Sequence, residues 1–150
     1  MVDPERITKQ ISVFLENKSG RLLEVCEGLG AAEINIRALC VADTSDFGIL
    51  RLIVADPDGA LQVLLARGFS VGETQVFAVS VPDRPGGLAS VLAHLERAGL
   101  NVEYMYAFFT RISGEAVVVF RVADELLDRA FDTLAAAGIT IMPAQDVYSV

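Results

Sequence analysis

Histidine occurs once in these 150 residues, at position 94, and cysteine twice, at positions 26 and 40. A lone histidine leaves no metal site to assign. No serine or cysteine has a neighbouring histidine base of the kind nucleophilic catalysis uses, and no glycine-rich lysine loop of the phosphate-binding kind is present. The sequence offers no catalytic constellation, so the expectation is a protein that is not an enzyme and needs no cofactor. The cysteines lack Cys-x-x-Cys spacing and are expected as buried free thiols; a bridge between a helix and its neighbouring strand stays open, though a reducing compartment disfavours it. No apolar run approaches the roughly 18 to 20 residues that span a bilayer. The leading Met1-Val2-Asp3-Pro4-Glu5-Arg6 lacks the basic start and apolar stretch of a secretory signal, which points to the cytoplasm. Basic residues number 12 against 20 acidic ones, for a net charge of −8. They are interspersed without a basic patch, so phosphate backbones are repelled and nucleic-acid binding is disfavoured.

Apolar residues, by contrast, are abundant. They make up 53% of the chain, with a mean hydropathy of +0.47, and with no membrane span to take them up the excess is expected between protein surfaces. Two similar stretches organise the rest: Asn17-Lys18-Ser19-Gly20-Arg21-Leu22 and Asp83-Arg84-Pro85-Gly86-Gly87-Leu88. Each closes a strand-like run, at residues 11–15 or 77–81, and opens a run with helical spacing. Such a turn presents unpaired backbone N–H groups at a helix start, where a carboxylate can dock. A single copy would be explained as a tight connection that needs glycine for its backbone geometry. Two copies favour a ligand role.

In chain order, residues 10–16 read as a strand, and Leu22, Val25, Cys26 and Leu29 form a helix stripe that ends near Gly30. Residues 34–43 form a second strand, Thr44-Ser45-Asp46 a turn, and residues 47–55 a third strand. Asp56 then caps a helix with Pro57 at its first position, Leu61, Leu64 and Leu65 along its stripe and Gly68 at its end. A fourth strand starts at residues 69–71. The second half repeats this order. The offset is 66 from Gly20/Gly86 to Asn35/Asn101, 68 at Asp56/Asp124 and 70 at Gly68/Gly138, so the length changes fall at turns. Two β-α-β-β-α-β units of the ferredoxin-like kind follow, residues 1–74 and 75–150, an α+β architecture with four-stranded antiparallel sheets and both helices on one face. Residues 77–81 are claimed twice, as the end of one unit and the start of the next. Either the first unit has a short fourth strand near residues 70–71, or a terminal strand at residues 146–150 crosses over to its sheet. Strands such as Val117-Val118-Val119-Phe120 are apolar on both faces, which predicts a covering sheet or chain and hence a homodimer.

These residues resemble the ACT-domain family over nearly the whole chain, as two tandem copies. The family pattern is a strand, Asp/Asn-x-x-Gly-x-Leu, a helix, and Asn before the second strand. Asp83, Gly86, Leu88 and Asn101 match it in the second copy, with Pro85 before the glycine; Asn17, Gly20, Leu22 and Asn35 match in the first, where Ser19 replaces the proline. The resemblance implies an amino-acid effector bound between the glycine corner of one module and the second strand of another. It also implies a stand-alone regulator similar to the regulatory ACT pair of aspartate kinases, where strands are exchanged, which favours the crossover. Regulation of an enzyme or another protein would follow.

The residues suit that chemistry. Backbone N–H groups at Gly20-Arg21-Leu22 and Gly86-Gly87-Leu88 would bind the carboxylate, while Asn17 and Asp83 would accept from the ammonium. Asn35 and Asn101 can donate and accept on the facing strand. The charge on Asp83 predicts the stronger site in the second copy. Helix capping by Asn17 and Asp83 is compatible with this role. Arg21 and Arg84 read as solvated surface, His94 as exposed, and Tyr104, Tyr106 and Phe108 as packing residues.

Overall fold

The computed structural model describes residues 2–43, 46–110 and 114–149. The expected turn at residues 44–45 and the terminal residue 150 lie outside this set. Among the described residues six strands and five α-helices follow in chain order: β1 (Thr8–Glu16), α1 (Arg21–Ala31), β2 (Ile36–Asp43), β3 (Phe47–Val54), α2 (Pro57–Ala66), β4 (Ser70–Pro82), α3 (Gly87–Arg97), β5 (Tyr104–Phe109), β6 (Glu115–Arg121), α4 (Leu127–Ala136) and α5 (Ala144–Tyr148). The chain forms two compact units. One is Lys9–Thr74; the other is Gln75–Tyr148 together with residues 2–8.

The N-terminal unit has the strand order β2-β3-β1-β4, with β1 and β2 antiparallel to β3. Alternation along β1 turns Ile11, Val13 and Leu15 to the helices, where they pack with Leu50, Leu52, Val25, Leu29 and Leu64. Gln10, Ser12, Phe14 and Glu16 take the other face, as the two-residue period of a strand requires. On that face Phe14 and Phe47 stack at 5.0 Å between centroids and stay about half exposed, beside Ile49. This is the apolar bare face expected of such strands.

In the C-terminal unit the order is β4-β6-β5, all antiparallel. Phe77 is fully buried, stacked on Phe120 at 5.5 Å and edge-on to Phe131 at 5.6 Å, inside a core that Val91, Leu95, Leu127 and Leu134 complete from the helices. Val117 and Val119, on the opposite face of β6, are also buried. The fourth strand of this unit is reduced to one antiparallel bridge, Val79 to Ile141, followed by a bond from the Met142 amide to the Ala78 carbonyl (2.8 Å). The leading residues join this unit. The Val2 amide donates to Asp128 (2.7 Å), the Arg6 guanidinium donates to the Ile141 carbonyl, and Val2 and Ile7 pack on the core. Arg121 ties the strand ends together, donating to the Gln75 carbonyl (3.1 Å), Asp124 (2.6 Å) and Glu103 (3.2 Å). Burial opposes its charge, yet the bond to Asp124 and the nearby charges of Asp124 and Glu103 outweigh that and raise its pKa.

The double claim on residues 77–81 is resolved by length. β4 is one strand of 13 residues that passes through Gly72 unbroken, its first part in the N-terminal unit and its remainder in the C-terminal one. Among the described residues the expected terminal strand is absent. Residues 146–148 lie in α5, so no strand from this segment crosses to the other sheet. Two helix stripes also differ in phase from the sequence reading. In α1 the buried residues are Val25, Gly28 and Leu29, leaving Leu22 43% exposed and Cys26 half buried. In α2 they are Pro57, Ala60 and Leu64, while Leu61 is half buried and Leu65 is 52% exposed. Leucine-rich runs present apolar groups around the whole helix, so their spacing does not fix which face turns inward. The start fixes it: the Asp56 carboxylate accepts from the Gly59 amide (3.1 Å), as expected. Cys26 and Cys40 are both free and half buried rather than buried, and His94 is half buried rather than exposed.

The repeat extends to helix ends. After α1 the Ile34 amide donates to the Leu29 carbonyl (2.9 Å), and after α3 Leu100 donates to Leu95 (3.0 Å), each the six-to-one bond of a Schellman ending. The left-handed position holds Gly99 in one copy and Glu33, at φ 58°, in the other. A side chain there costs about 1 kcal/mol. Glu33→Gly is therefore expected to raise stability by about 0.5–1 kcal/mol in urea denaturation, whereas Phe77→Ala should lower it by about 3–5 kcal/mol.

Candidate functional site

The two glycine corners have the same backbone. Gly20 and Gly86 precede α1 and α3 in the left-handed region, at φ 91° and 83°. The Asn17 amide donates to the Asp46 carbonyl and the Asp83 amide to the Gly114 carbonyl, both at 2.8 Å. Lys18 and Arg84 donate back to Glu16 and Pro82 at 2.9 Å, and Glu24 and Ser90 donate to Gly20 and Gly86 at 3.0 Å. Neither helix start has a side-chain cap, so Asn17 and Asp83 do not cap α1 and α3. The Arg21 and Gly87 amides bond back to the Lys18 and Arg84 carbonyls (3.5 and 3.0 Å), and the next two amides of each helix, at residues 22–23 and 88–89, are left for other acceptors. A Cβ on Gly20 or Gly86 would meet nothing within 4 Å, which makes both glycines open to approach from outside.

Around this shared frame the side chains diverge. At the C-terminal unit's corner lies a groove of about 570 Å³, lined by residues of β4, the turn, α3, Glu115 of β6 and residues 138–140. That volume is within the range of roughly 300–1,000 Å³ usual for small-molecule sites. Of the sequence-predicted residues, Pro85, Gly86 and Gly87 line it; Asp83 and Leu88 do not. Arg84 supplies a cation, and the Glu115 carboxylate, which accepts from the Ser80 hydroxyl at 2.8 Å, supplies an anion. Ser90 and Thr140 add hydroxyls. Gly87 has a steric reason of its own, since a Cβ there would collide with the Pro82 carbonyl.

The N-terminal unit's corner encloses only about 130 Å³. Asn17, Arg21 and Leu22 line it, whereas Ser19 and Gly20 stand exposed outside it. Arg21 folds over the Phe69 ring (4.8 Å) and pairs with Glu24 (2.8 Å), so it is not the solvated surface residue its sequence context suggests. Asn35 and Asn101 are exposed at the far ends of α1 and α3, helices of 11 residues each, or about 16 Å from the corners at 1.5 Å per residue. Neither lines its own unit's corner. Sequence reasoning missed Ser80 and Ser90, which flank the motif, and Glu115 and Thr140, which come from segments distant from it. The register of β4 against β6, pairing Pro82 with Glu115, brings the carboxylate to the corner. Among the described residues no group of three or more His, Cys, Asp or Glu side chains is placed to hold a metal ion, and no helix is long and apolar enough to cross a membrane.

Comparison with known proteins fits this geometry. A family model described as an ACT domain pair matches residues 6–133. The chain belongs to the ACT domain pair family. A crystal structure of protein BT0572 from Bacteroides thetaiotaomicron is similar at 43% identity and a TM-score of 0.90, over 97% of this chain and 98% of that one. The ligand-free regulatory subunit of aspartate kinase from Thermus thermophilus shares the fold at 15% identity and a TM-score of 0.63, over 89% and 95% of the two chains. That of Thermus flavus does so at 18% identity and a TM-score of 0.59, over 87% and 92%. No curated protein matches the sequence.

The steric difference between the corner glycines is measurable. Gly87→Ala, which must displace backbone, should lower stability by about 2 kcal/mol, and Gly86→Ala, strained only by its φ, by about 1 kcal/mol; equilibrium urea unfolding reads both.

Proposed function

We propose that this ACT domain pair is a non-enzymatic, cytoplasmic regulator that binds an amino-acid effector at a glycine corner and transmits its presence to another protein. The observation that carries this reading is the pairing of opposite charges in one groove. Arg84 suits a carboxylate, and Glu115, held by Ser80, suits an ammonium. This assigns the ammonium to Glu115 rather than to Asp83 as the sequence suggests. Asp83, Leu88, Asn35 and Asn101 fall outside the grooves of their own units, and a role for the asparagines requires a second module across from the corner. Effector binding regulates only if it discriminates between two arrangements of the protein.

A second reading, an assembly module that needs no ligand, is favoured by the outer strand β2. It ends the sheet, with Leu39 and Val41 50% and 46% exposed, and Val41 lines one hollow with Leu22 of α1, itself 43% exposed. An unpaired antiparallel edge is self-complementary about a two-fold axis, so a second copy is the fitting occupant and a homodimer the expected state. Both readings hold together if the dimer carries the effector site.

A thermal-shift and calorimetric screen of the twenty amino acids separates them. At one hundred times its dissociation constant an effector adds about 2.7 kcal/mol, or about 5–10 °C in Tm for a chain of this size. Uniform absence of heat and shift would count against the sensor. Gly86→Val should abolish the response while leaving the dimer in sedimentation. Leu39→Lys with Val41→Lys should yield monomers, and a monomeric wild type would remove the second reading.

A further inference from the structure

The two corners share a backbone but not a chemistry, and position-by-position comparison shows why. The register places Phe14 and Phe47 of the N-terminal unit where the C-terminal unit has Ser80 and Glu115: Glu16 faces Phe47 as Pro82 faces Glu115. The hydroxyl–carboxylate pair of one copy is thus an aromatic stack in the other. Arg21 stands at the position of Gly87, where the second copy has no room for a Cβ. Its guanidinium covers Phe69, and Phe69 in turn corresponds to Ile139 of the groove wall. At the first corner Lys18 pairs with Glu16 at 3.3 Å and Arg21 with Glu24 at 2.8 Å, while the Arg21 Nε is buried without a hydrogen-bond partner among the described residues. At the second corner, among the described residues, Arg84 has no ion-pair partner and Glu115 is held only by a neutral hydroxyl.

From this we infer that each chain takes a single amino acid, at the Arg84/Glu115 groove, and that the first corner is closed from within by its own Arg21 and does not bind ligand. The inference rests on the sensor reading and deepens it. The first corner keeps the turn, but its lining carboxylate, Glu16, is already paired with Lys18 at 3.3 Å, and its 130 Å³ is well under the volume of ordinary ligand sites. The hydroxyls of Ser80, Ser90 and Thr140 further direct the groove toward an amino acid with a polar side chain rather than an aliphatic one.

The test is a titration of the full ¹⁵N-labelled chain with an equimolar mixture of the twenty standard amino acids at millimolar concentration, followed by amide chemical shifts. Saturable movement of the Gly86, Gly87, Ser90 and Glu115 amides, with Gly20, Arg21 and Leu22 unmoved, is the expected result. In Arg84→Ser the same titration should require about tenfold or more ligand, the loss of one charge-assisted contact. Saturable movement at both corners, or at Gly20–Leu22 alone, would overturn the single-site assignment while leaving amino-acid sensing in place. Movement at neither corner would overturn sensing and the assignment together. Titration with serine and with leucine separately reads the side-chain preference, and a stronger response to leucine would overturn that part.

Discussion

Strand β4 is the constraint on which both halves of the molecule depend. Its 13 residues serve one unit with Val71 and the other with Phe77, Val79 and Val81, so a single extended segment must satisfy two cores in succession. This is why it runs through Gly72 without a break. A turn there would take Phe77 out of register with Phe120 and leave the largest aromatic cluster of the C-terminal unit without its centre. The same economy explains the abbreviated fourth strand of that unit, where one bridge at Ile141 and the latch of Arg6 hold the segment beside the groove.

Much of this was legible in the sequence because the fold is written twice. An offset of 66 that preserves glycines and apolar spacing identifies equivalent elements without reference to any structure, and the bonds at the two corners match donor for donor. What the sequence leaves open is phase and distance. Leu22 and Leu65 carry the spacing of core residues yet lie exposed, since a run rich in leucine does not say which side meets the sheet. The terminal segment 146–148 aligned with a strand but coils into a helix, because the partner edge it would have joined belongs to β1 and β4 already.

The candidate site was legible in its frame and not in its chemistry. Gly86 and Gly87 announce themselves by backbone need, one through its positive φ and the other through contact with Pro82. Glu115 does not, since it is separated from the motif by a helix and a strand, and only the pairing of β4 with β6 returns it. The asparagines illustrate the converse: Asn35 and Asn101 fit a family pattern in the sequence, yet a helix of three turns stands between each of them and its own corner.

Because the corners are held by main-chain donors and acceptors, their shape is indifferent to most of the side chains that surround it. An arginine can replace a glycine and an aromatic pair can replace a serine and a glutamate while the peptide geometry persists. A duplicated module of this kind can therefore lose or change its recognition in one half without endangering the folding of either. The surviving turn is then a record of ancestry more than a guarantee of present use.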